Sequence, residues 1–214
     1  MKVLLTGFDP FGGETVNPAL EAVKLLDGAV IAEAQVVTRE LPTVRGKAIE
    51  ALVRAIQEVQ PEVVIAVGQA GGRMEITPER VAINVDDFRI PDNEGNQAVD
   101  EAVVADGPAA YWSTLPIKKM VAVLKADGIP ASVSNTAGTF VCNHVFYGLM
   151  HYLQQEGNRR RGGFIHIPYL PAQAAKLAGQ PSMALEVVVQ GLRRAVEVAL
   201  TTQDDERHIG GTIC

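Results

Sequence analysis

Along the chain, short runs of β-branched and other apolar residues alternate with longer stretches in which apolar residues recur at helical spacing. The short runs predict strands over Lys2–Thr6, Ala34–Leu41, Glu62–Gly68, Pro130–Ala137 and Gly162–Pro171, the last stopped by Pro168. The longer stretches predict helices over Pro18–Leu26, from after Pro42 to Pro61, over Ile117–Ala126, from Phe140 or Val141 to Gln155, and onward from an N-cap at Ser182. This alternation is typical of an α/β layered domain with a largely parallel sheet.

The run Glu62–Gly68 is continuous and β-branched, as expected of a central strand covered on both faces. The segment from Gln69 to Pro116 is different, because it is rich in Gly, Pro, Asp and Asn and holds one short strand-like run, "RVAINVDDF". Long irregular excursions within a compact domain are often functional. We find no repeat or linker, and we expect a single domain over 1–200 with a polar, frayed tail over 201–214.

Composition narrows the class of protein without naming a function. The 214 residues are 47% hydrophobic and 21% charged, which suits an ordinary globular domain that needs no metal or disulfide for its core. A formal charge of −6, with no basic run beyond Arg159–Arg161, argues against a nucleic-acid partner. No apolar run is long enough for a membrane span or a signal sequence, so we expect a cytoplasmic protein.

Cys142 is the first candidate for chemistry, since it lies in the first turn of a helix that follows a strand. Only Cys142 and Cys214 are present, too few for a disulfide framework or a zinc site, and we predict no metal and no cofactor. A helix N-terminus lowers the pKa of a thiol and supplies backbone N–H groups for an oxyanion. The alternative is a buried structural cysteine, because Cys142 shares a helical face with Val145, Phe146 and Leu149.

Helix geometry selects one of the four histidines as a base for Cys142. His144 and His151 lie about 200° and about 180° around the helix from the thiol, so neither faces it. His208 lies in the polar tail. His166 remains, near the carboxyl end of the next strand, where an imidazole can reach a neighbouring helix start. Its alternative role is a core histidine between two isoleucines.

A carboxylate that orients the imidazole has six candidates in the excursion, and physical reasoning leaves all of them open. They are Glu75, Glu79, Asp86, Asp87, Asp92 and Glu94. In the loop after the first strand, Phe8 and Phe11 either anchor the loop on the core or form walls for a small flat ligand. "GQAGGR" misses the glycine spacing of a dinucleotide site, so a nucleotide is not expected.

Six segments, in this order and spacing, resemble the pyrrolidone carboxyl peptidases, also called pyroglutamyl peptidase type I. They are "LLTGFDPFGG", "AVGQAGGR", "PERVAINVDDFRIPDN", "GPAAYWSTLPIKKM", "SNTAGTFVCNH" and "GGFIHIPYLP". The resemblance runs from Lys2 to about Ala199. It implies a cytosolic cysteine exopeptidase that removes N-terminal pyroglutamate from peptides, a three-layer α/β/α sandwich with a mixed twisted sheet, and a homotetramer.

By matching motifs, the resemblance implies a catalytic triad of Glu79, Cys142 and His166. It places the pyrrolidone ring between aromatic side chains, with hydrogen-bonding groups from two polar residues. An arginine is implied to stabilise the oxyanion or the loop. These substrate-binding positions are Phe8, Phe11, Phe140, Thr43, Gln69 and Arg89. The implied reaction proceeds through attack by the cysteine and hydrolysis of a thioester.

Two other classes of function remain open on this sequence. Nucleoside phosphorylases share the implied fold and use phosphate without a cysteine, and a non-catalytic protein that binds small cyclic amides also fits the Phe-containing loop. Replacement of Cys142 by Ser separates them, because it abolishes a thiol peptidase and leaves a phosphorylase active. Cys214 matches no family motif, and we assign it no role.

Overall fold

The structure is a computed structural model that describes residues 1–211, so Cys214 lies outside the described residues. In chain order, the first half contains β1 (Lys2–Phe8), α1 (Pro18–Lys24), β2 (Val30–Ile31), β3 (Ala34–Leu41), α2 (Lys47–Val59) and β4 (Val63–Gln69). The second half contains β5 (Thr77–Pro78), β6 (Val81–Ile83), β7 (Ala110–Trp112), α3 (Ile117–Ala126), α4 (Val141–Gln155), β8 (Arg161–Ile167), α5 (Pro171–Ala174) and α6 (Leu185–Thr201).

The main sheet has the strand order β2-β3-β1-β4-β8-β5, and β6 and β7 form a separate hairpin. Its four inner strands are parallel, whereas β2 and β5 are antiparallel at the two edges. β4 lies between β1 and β8, as the continuous apolar run predicts for a buried central strand.

Alternation along each strand divides the core into two layers. Val3 and Leu5 of β1 belong to the buried cluster formed with α1, α3 and α6, while Leu4 and Phe8 belong to the cluster formed with α2 and α4. The sheet therefore carries helices on both faces. This confirms the predicted α/β/α sandwich with a mixed, largely parallel sheet.

Two predicted elements are wrong. Pro130–Ala137 forms no strand, because its backbone meets the 76–80 segment only at the isolated bridges of Ala131 and Ser134. The short β5 takes the edge of the sheet beside β8 instead. Ser182 does not cap the last helix, which begins later with Ala184 at the N-cap and no side-chain cap.

The segment after α6 makes specific contacts as far as the structure describes it. Asp205 accepts hydrogen bonds from the backbone N–H groups of Lys118 and Lys119, at 3.0 and 2.9 Å, and so caps the start of α3. The carbonyl of Gly210 accepts a bond of 2.7 Å from the guanidinium of Arg80. Within residues 1–211, no helix has both the length and the apolar character needed to cross a membrane.

Candidate active site

The start of α4 and the end of β8 meet on the sheet face covered by α2 and α4. Gly68 of β4 is the Cα partner of His166 in the parallel β4–β8 ladder, and paired residues of neighbouring strands point to the same face. Phe164, two residues before His166, lies in the buried cluster with Val141 of α4. The imidazole therefore points into the layer of the helix that carries Cys142.

Gly68 makes room for the thiol between the sheet and α4. A Cβ atom added at Gly68 would lie 2.9 Å from Cys142 Sγ and 2.8 Å from the ring of Phe164. Neighbouring strands are about 4.8 Å apart, so the sulfur above Gly68 lies beside the imidazole of His166 on the next strand. A thiol and a base are thus placed side by side. Within residues 1–211 no hydrogen bond joins Cys142 Sγ to the ring.

The turn between β5 and β6 brings Glu79 to the other side of the imidazole. The short β5 pairs with β8, with Thr77 opposite His166, and the backbone N–H of Glu79 donates to the carbonyl of Phe164 at 2.9 Å. The His166 Nδ1 to Glu79 Oε1 distance is 2.7 Å. Since an ionised carboxylate only accepts, Nδ1 carries the hydrogen, and Nε2 is left as the basic nitrogen.

Burial dominates the electrostatics of the pair. It raises the pKa of the Cys142 thiol from 9.0 to about 12, with the nearby Glu79 acting in the same direction and Arg73 against it. Burial lowers the pKa of His166, although Glu79 opposes this shift. The expected lowering of the thiol pKa by the helix N-terminus is therefore outweighed. Both pKa shifts favour a neutral thiol and a neutral imidazole over an ion pair.

Backbone N–H groups at the start of α4 remain available for an oxyanion. Phe140 is the N-cap, and no side chain accepts a hydrogen bond from the first turn of the helix. The first N–H groups of a helix have no partner within the helix itself, and they stabilise negative charge. Cys142 carries its thiol within this turn, so an oxyanion formed beside the sulfur lies near these donors.

Of the six candidate acids, only Glu79 contacts His166. Asp86 and Asp92 are buried but have other partners: Asp86 bonds Arg45 and His144, and Asp92 accepts from backbone N–H groups of its own loop. The remaining acids are Glu75, which is partly exposed, and Asp87 and Glu94, which are exposed.

The predicted substrate residues divide into two groups. Phe11, Gln69 and Arg89 line one cavity, and Phe11, Arg89 and Phe140 line a smaller neighbouring cavity. The rings of Phe11 and Phe140 have centroids 5.9 Å apart. The two cavities share Phe11 and Arg89, and the smaller one reaches Phe140, the N-cap of α4, two residues before Cys142.

Phe8 and Thr43 lie deeper than a ligand-binding role requires. Phe8 is buried and its ring centroid lies 6.2 Å from that of Phe164, which makes it part of the core under the site. The Thr43 hydroxyl donates to the carbonyl of Asp9 at 3.1 Å, and its N–H donates to the Asp9 carboxylate at 2.7 Å. Both residues support the loop after β1.

Three residues at the site carry no role in the sequence prediction. Arg73 donates to Glu79, Phe88 packs its buried ring edge-on against Phe140, and Asn143 binds the backbone of Ile83 in both directions. The glycine spacing of "GQAGGR" indicates no role for its arginine. Arg73 and Glu79 are six residues apart, and no periodicity in the sequence indicates that the chain between them brings their side chains together.

A second buried histidine lies two residues after the cysteine. His144 Nδ1 is 2.8 Å from Asp86 Oδ2, and its Nε2 accepts a bond of 2.9 Å from the backbone N–H of Gly46, just before α2. Asp86 Oδ2 also accepts a bond of 2.8 Å from Arg45 Nε. Both ring nitrogens of His144 are therefore occupied. In the part of the chain described, no cluster of His, Cys, Asp and Glu side chains is arranged to hold a metal ion.

Comparisons with known proteins identify the family to which this chain is similar. The family model described as pyroglutamyl peptidase matches residues 1–202. Pyrrolidone-carboxylate peptidase 1 of Ralstonia nicotianae is 64% identical over 211 residues, covering 99% of this chain and 98% of the relative. Pyrrolidone-carboxylate peptidase of Cupriavidus taiwanensis is 61% identical over 212 residues, covering 99% and 98%.

Solved structures show the same fold over nearly the whole chain. The crystal structure of pyroglutamyl peptidase I from Bacillus amyloliquefaciens superposes with a TM-score of 0.95 and 56% identity, covering 97% of this chain and 98% of that one. A mutant pyrrolidone carboxyl peptidase from Pyrococcus furiosus gives a TM-score of 0.91 and 48% identity, covering 94% and 98%.

Proposed function

The chain belongs to the pyroglutamyl peptidase family of cysteine peptidases, and from this premise we propose that it hydrolyses the amide bond after an N-terminal pyroglutamyl residue. In the proposed reaction Cys142 is the nucleophile, His166 acts as base and acid, and Glu79 orients His166. The observation that carries this proposal is the contact of 2.7 Å between His166 Nδ1 and Glu79 Oε1. An ionised carboxylate only accepts, so Nδ1 carries the hydrogen, and Nε2 is left to take a proton from the thiol.

The first half of the reaction forms a thioester. Because burial keeps the pKa of Cys142 high and that of His166 low, the proton leaves Sγ for Nε2 as the sulfur attacks the pyroglutamyl carbonyl. The S–C bond forms, and the carbonyl oxygen takes negative charge near the N–H groups at the start of α4. When the C–N bond breaks, His166 returns that proton to the leaving amine.

The second half releases pyroglutamate. Water gives a proton to His166 Nε2 as its oxygen attacks the thioester carbonyl, and the C–S bond then breaks. The proton returns to the sulfur, so Cys142 is again a neutral thiol. Glu79 stabilises the charged imidazole in both halves without taking the proton itself.

The space beside the thiol suits a pyrrolidone ring. Phe11 and Phe140 supply apolar walls, while Gln69 and Arg89 supply polar groups for the lactam and the carbonyl oxygen. Two carboxylates line these cavities, Glu14 and Asp87, and both are exposed. A free α-ammonium group held between the two rings would therefore lose its hydration without gaining a buried carboxylate, and the site would disfavour it.

The test is release of a chromogenic amine from its pyroglutamyl amide in a reducing buffer, with and without iodoacetamide. We expect thiol-sensitive release that is lost in Cys142→Ser and kept in Cys214→Ser. The matched glutaminyl amide, which has a free amino group, should not be cleaved. Absence of release by folded, reduced protein would contradict the peptidase, and equal cleavage of both amides would contradict the pocket.

Two further expectations from the family resemblance stay predictions. The first is a homotetramer, and the second is a cytoplasmic location. Sedimentation of the purified protein tests the first, and fractionation of cells tests the second. The catalytic site described above is built from residues of one chain.

A further inference from the structure

Arg73 is tied to three parts of the candidate site. Its Nη1 donates to Glu79 Oε1 at 2.6 Å and to Thr77 Oγ1 at 2.5 Å, and its Nη2 donates to the carbonyl of Thr136 at 2.9 Å. Thr77 lies on β5 opposite His166, and Thr136 lies in the loop that leads to α4. The guanidinium thus connects the segment after β4 with Glu79, with β5 and with the loop that leads to the nucleophile.

Arg73 and His166 use the same carboxylate oxygen. Glu79 Oε1 lies 2.6 Å from Arg73 Nη1 and 2.7 Å from His166 Nδ1, while the buried Oε2 has no hydrogen-bond partner among residues 1–211. A carboxylate held through a single oxygen turns easily about that oxygen when only one donor is present. Two donors in different directions fix both the position of Oε1 and the plane of the carboxylate.

We propose that Arg73 is a positioning residue of the peptidase reaction, which holds Glu79 Oε1 in place and aimed at His166 Nδ1. The inference rests on the proposed function, because it acts through the proposed triad. Arg73 touches none of the reacting atoms in this role. Its effect passes through Glu79 and through its positive charge.

The charged groups around His166 determine the sign of that effect. Glu79 comes from the β5–β6 turn and Arg73 from the segment after β4, while Cys142 on α4 is the titratable neighbour and β4 contributes only Gly68 and Gln69. The charge of Arg73 lowers the pKa of His166 and the pKa of Cys142. Loss of that charge therefore moves both pKa values upward.

The experiment compares Arg73→Gln and Arg73→Lys with the unsubstituted protein. Arg193→Gln is the matched control, since it removes one arginine charge from an exposed position of α6, on the opposite side of the sheet. For Arg73→Gln we expect the acid limb of the kcat/KM profile for a pyroglutamyl amide to move to higher pH by about one unit. We also expect kcat to fall about tenfold or more, with KM changed less. Arg73→Lys keeps the charge, so its acid limb should stay near that of the unsubstituted protein.

A second readout does not depend on hydrolysis. In the Cys214→Ser background, the rate of alkylation of Cys142 by iodoacetamide is measured against pH, and its midpoint should rise in Arg73→Gln but not in Arg193→Gln. A lower kcat with both pH profiles unchanged would overturn the inference and leave Arg73 as a structural residue.

If no variant releases amine, the proposed function fails, and the alkylation profile still decides whether Arg73 acts on the thiol. If Arg73→Gln does not fold, Arg73→Lys must retain the profile and most of kcat for the inference to stand.

Discussion

Among residues 1–211, two sets each combine a partly exposed arginine with a buried carboxylate and a buried histidine, and they differ in which polar atoms they leave without a hydrogen bond. In the first set, Arg73 and His166 share one oxygen of Glu79, and within the described chain no protein group bonds His166 Nε2. In the second set, Asp86 uses both oxygens toward His144, and the other ring nitrogen accepts the N–H of Gly46. The two sets therefore have different roles, although they consist of the same residue types. Because His166 Nε2 has no hydrogen-bond partner among the residues described, the first set is the one that can accept and return a proton.

The second set, which consists of Arg45, Asp86 and His144, holds neighbouring elements of the fold together. His144 joins the first turn of α4 to the start of α2, and Arg45 binds both Asp86 and Glu101 at 2.8 and 2.7 Å. Asn143, between Cys142 and His144, binds the 83–85 backbone. Saturated hydrogen bonds of this kind hold the helix start that carries the nucleophile.

The largest expected contrast comes from the two histidines. His166→Asn should lower kcat by about 10³-fold or more while the melting temperature changes little, because it removes the base. His144→Asn should lower the free energy of unfolding by about 2–4 kcal/mol, because Asp86 and the N–H of Gly46 each lose a buried hydrogen-bond partner, while Arg45 stays on Asp86. Kinetics and thermal unfolding of both proteins check the contrast, and an inactive but fully stable His144→Asn would reverse the assignment.

The two carboxylates provide the next contrast. Glu79→Gln should reduce kcat by about 10²-fold or more, since an amide no longer stabilises the imidazolium and can favour the wrong tautomer. Asp86→Asn should act mainly on stability, by about 1–3 kcal/mol, through the lost bonds to His144 and Arg45. If Glu79→Gln turned over at the unsubstituted rate, Glu79 would lose its place in the triad.

A smaller effect should follow from Gly68→Ala. The new Cβ would meet Cys142 Sγ at 2.9 Å and the Phe164 ring at 2.8 Å, so the thiol must shift. We expect kcat to fall about tenfold and stability to fall by about 1–3 kcal/mol. Gly211→Ala is the matched control, because no atom of the described residues lies within 4 Å of its added Cβ. An unchanged alkylation rate for Cys142 in Gly68→Ala would show that the thiol has room to spare.

The smallest expected effect is the pH dependence of stability. Burial lowers the pKa of His166 in the folded protein, so the unfolded chain binds more protons once the pH falls below the ordinary value of about 6.5. The stability linked to neutral His166 is therefore full above that pH and is lost as the pH falls toward the folded pKa. Thermal unfolding between pH 8 and pH 5 should show a smaller acid loss for His166→Asn than for the unsubstituted protein.

The hydrophobic pattern along the chain predicted most of the helices and strands, because these elements form from residues that are close together in the sequence. The bounds of β3 and α3 agree with the predicted Ala34–Leu41 and Ile117–Ala126. The failure at Pro130–Ala137 has a different origin, since an extended segment becomes a strand only when a partner edge is free. Here β5 pairs with the edge of β8, so that edge is not free for Pro130–Ala137. The hydrophobic pattern of the sequence does not indicate which of the two segments pairs with β8.

The sequence by itself determined the alternation of strands and helices, the thiol at a helix start and the histidine near a strand end, because these follow from spacing along the chain. Residue spacing left six acids open, and family resemblance selected Glu79 among them. Only the tertiary structure decided that Glu79 contacts His166, that Arg73 shares its oxygen and that His144 is saturated. The Glu79–His166 and Gly46–His144 contacts join residues 87 and 98 positions apart, which only the packing of layers brings together, and the Arg73–Glu79 contact depends on how the irregular chain between them turns.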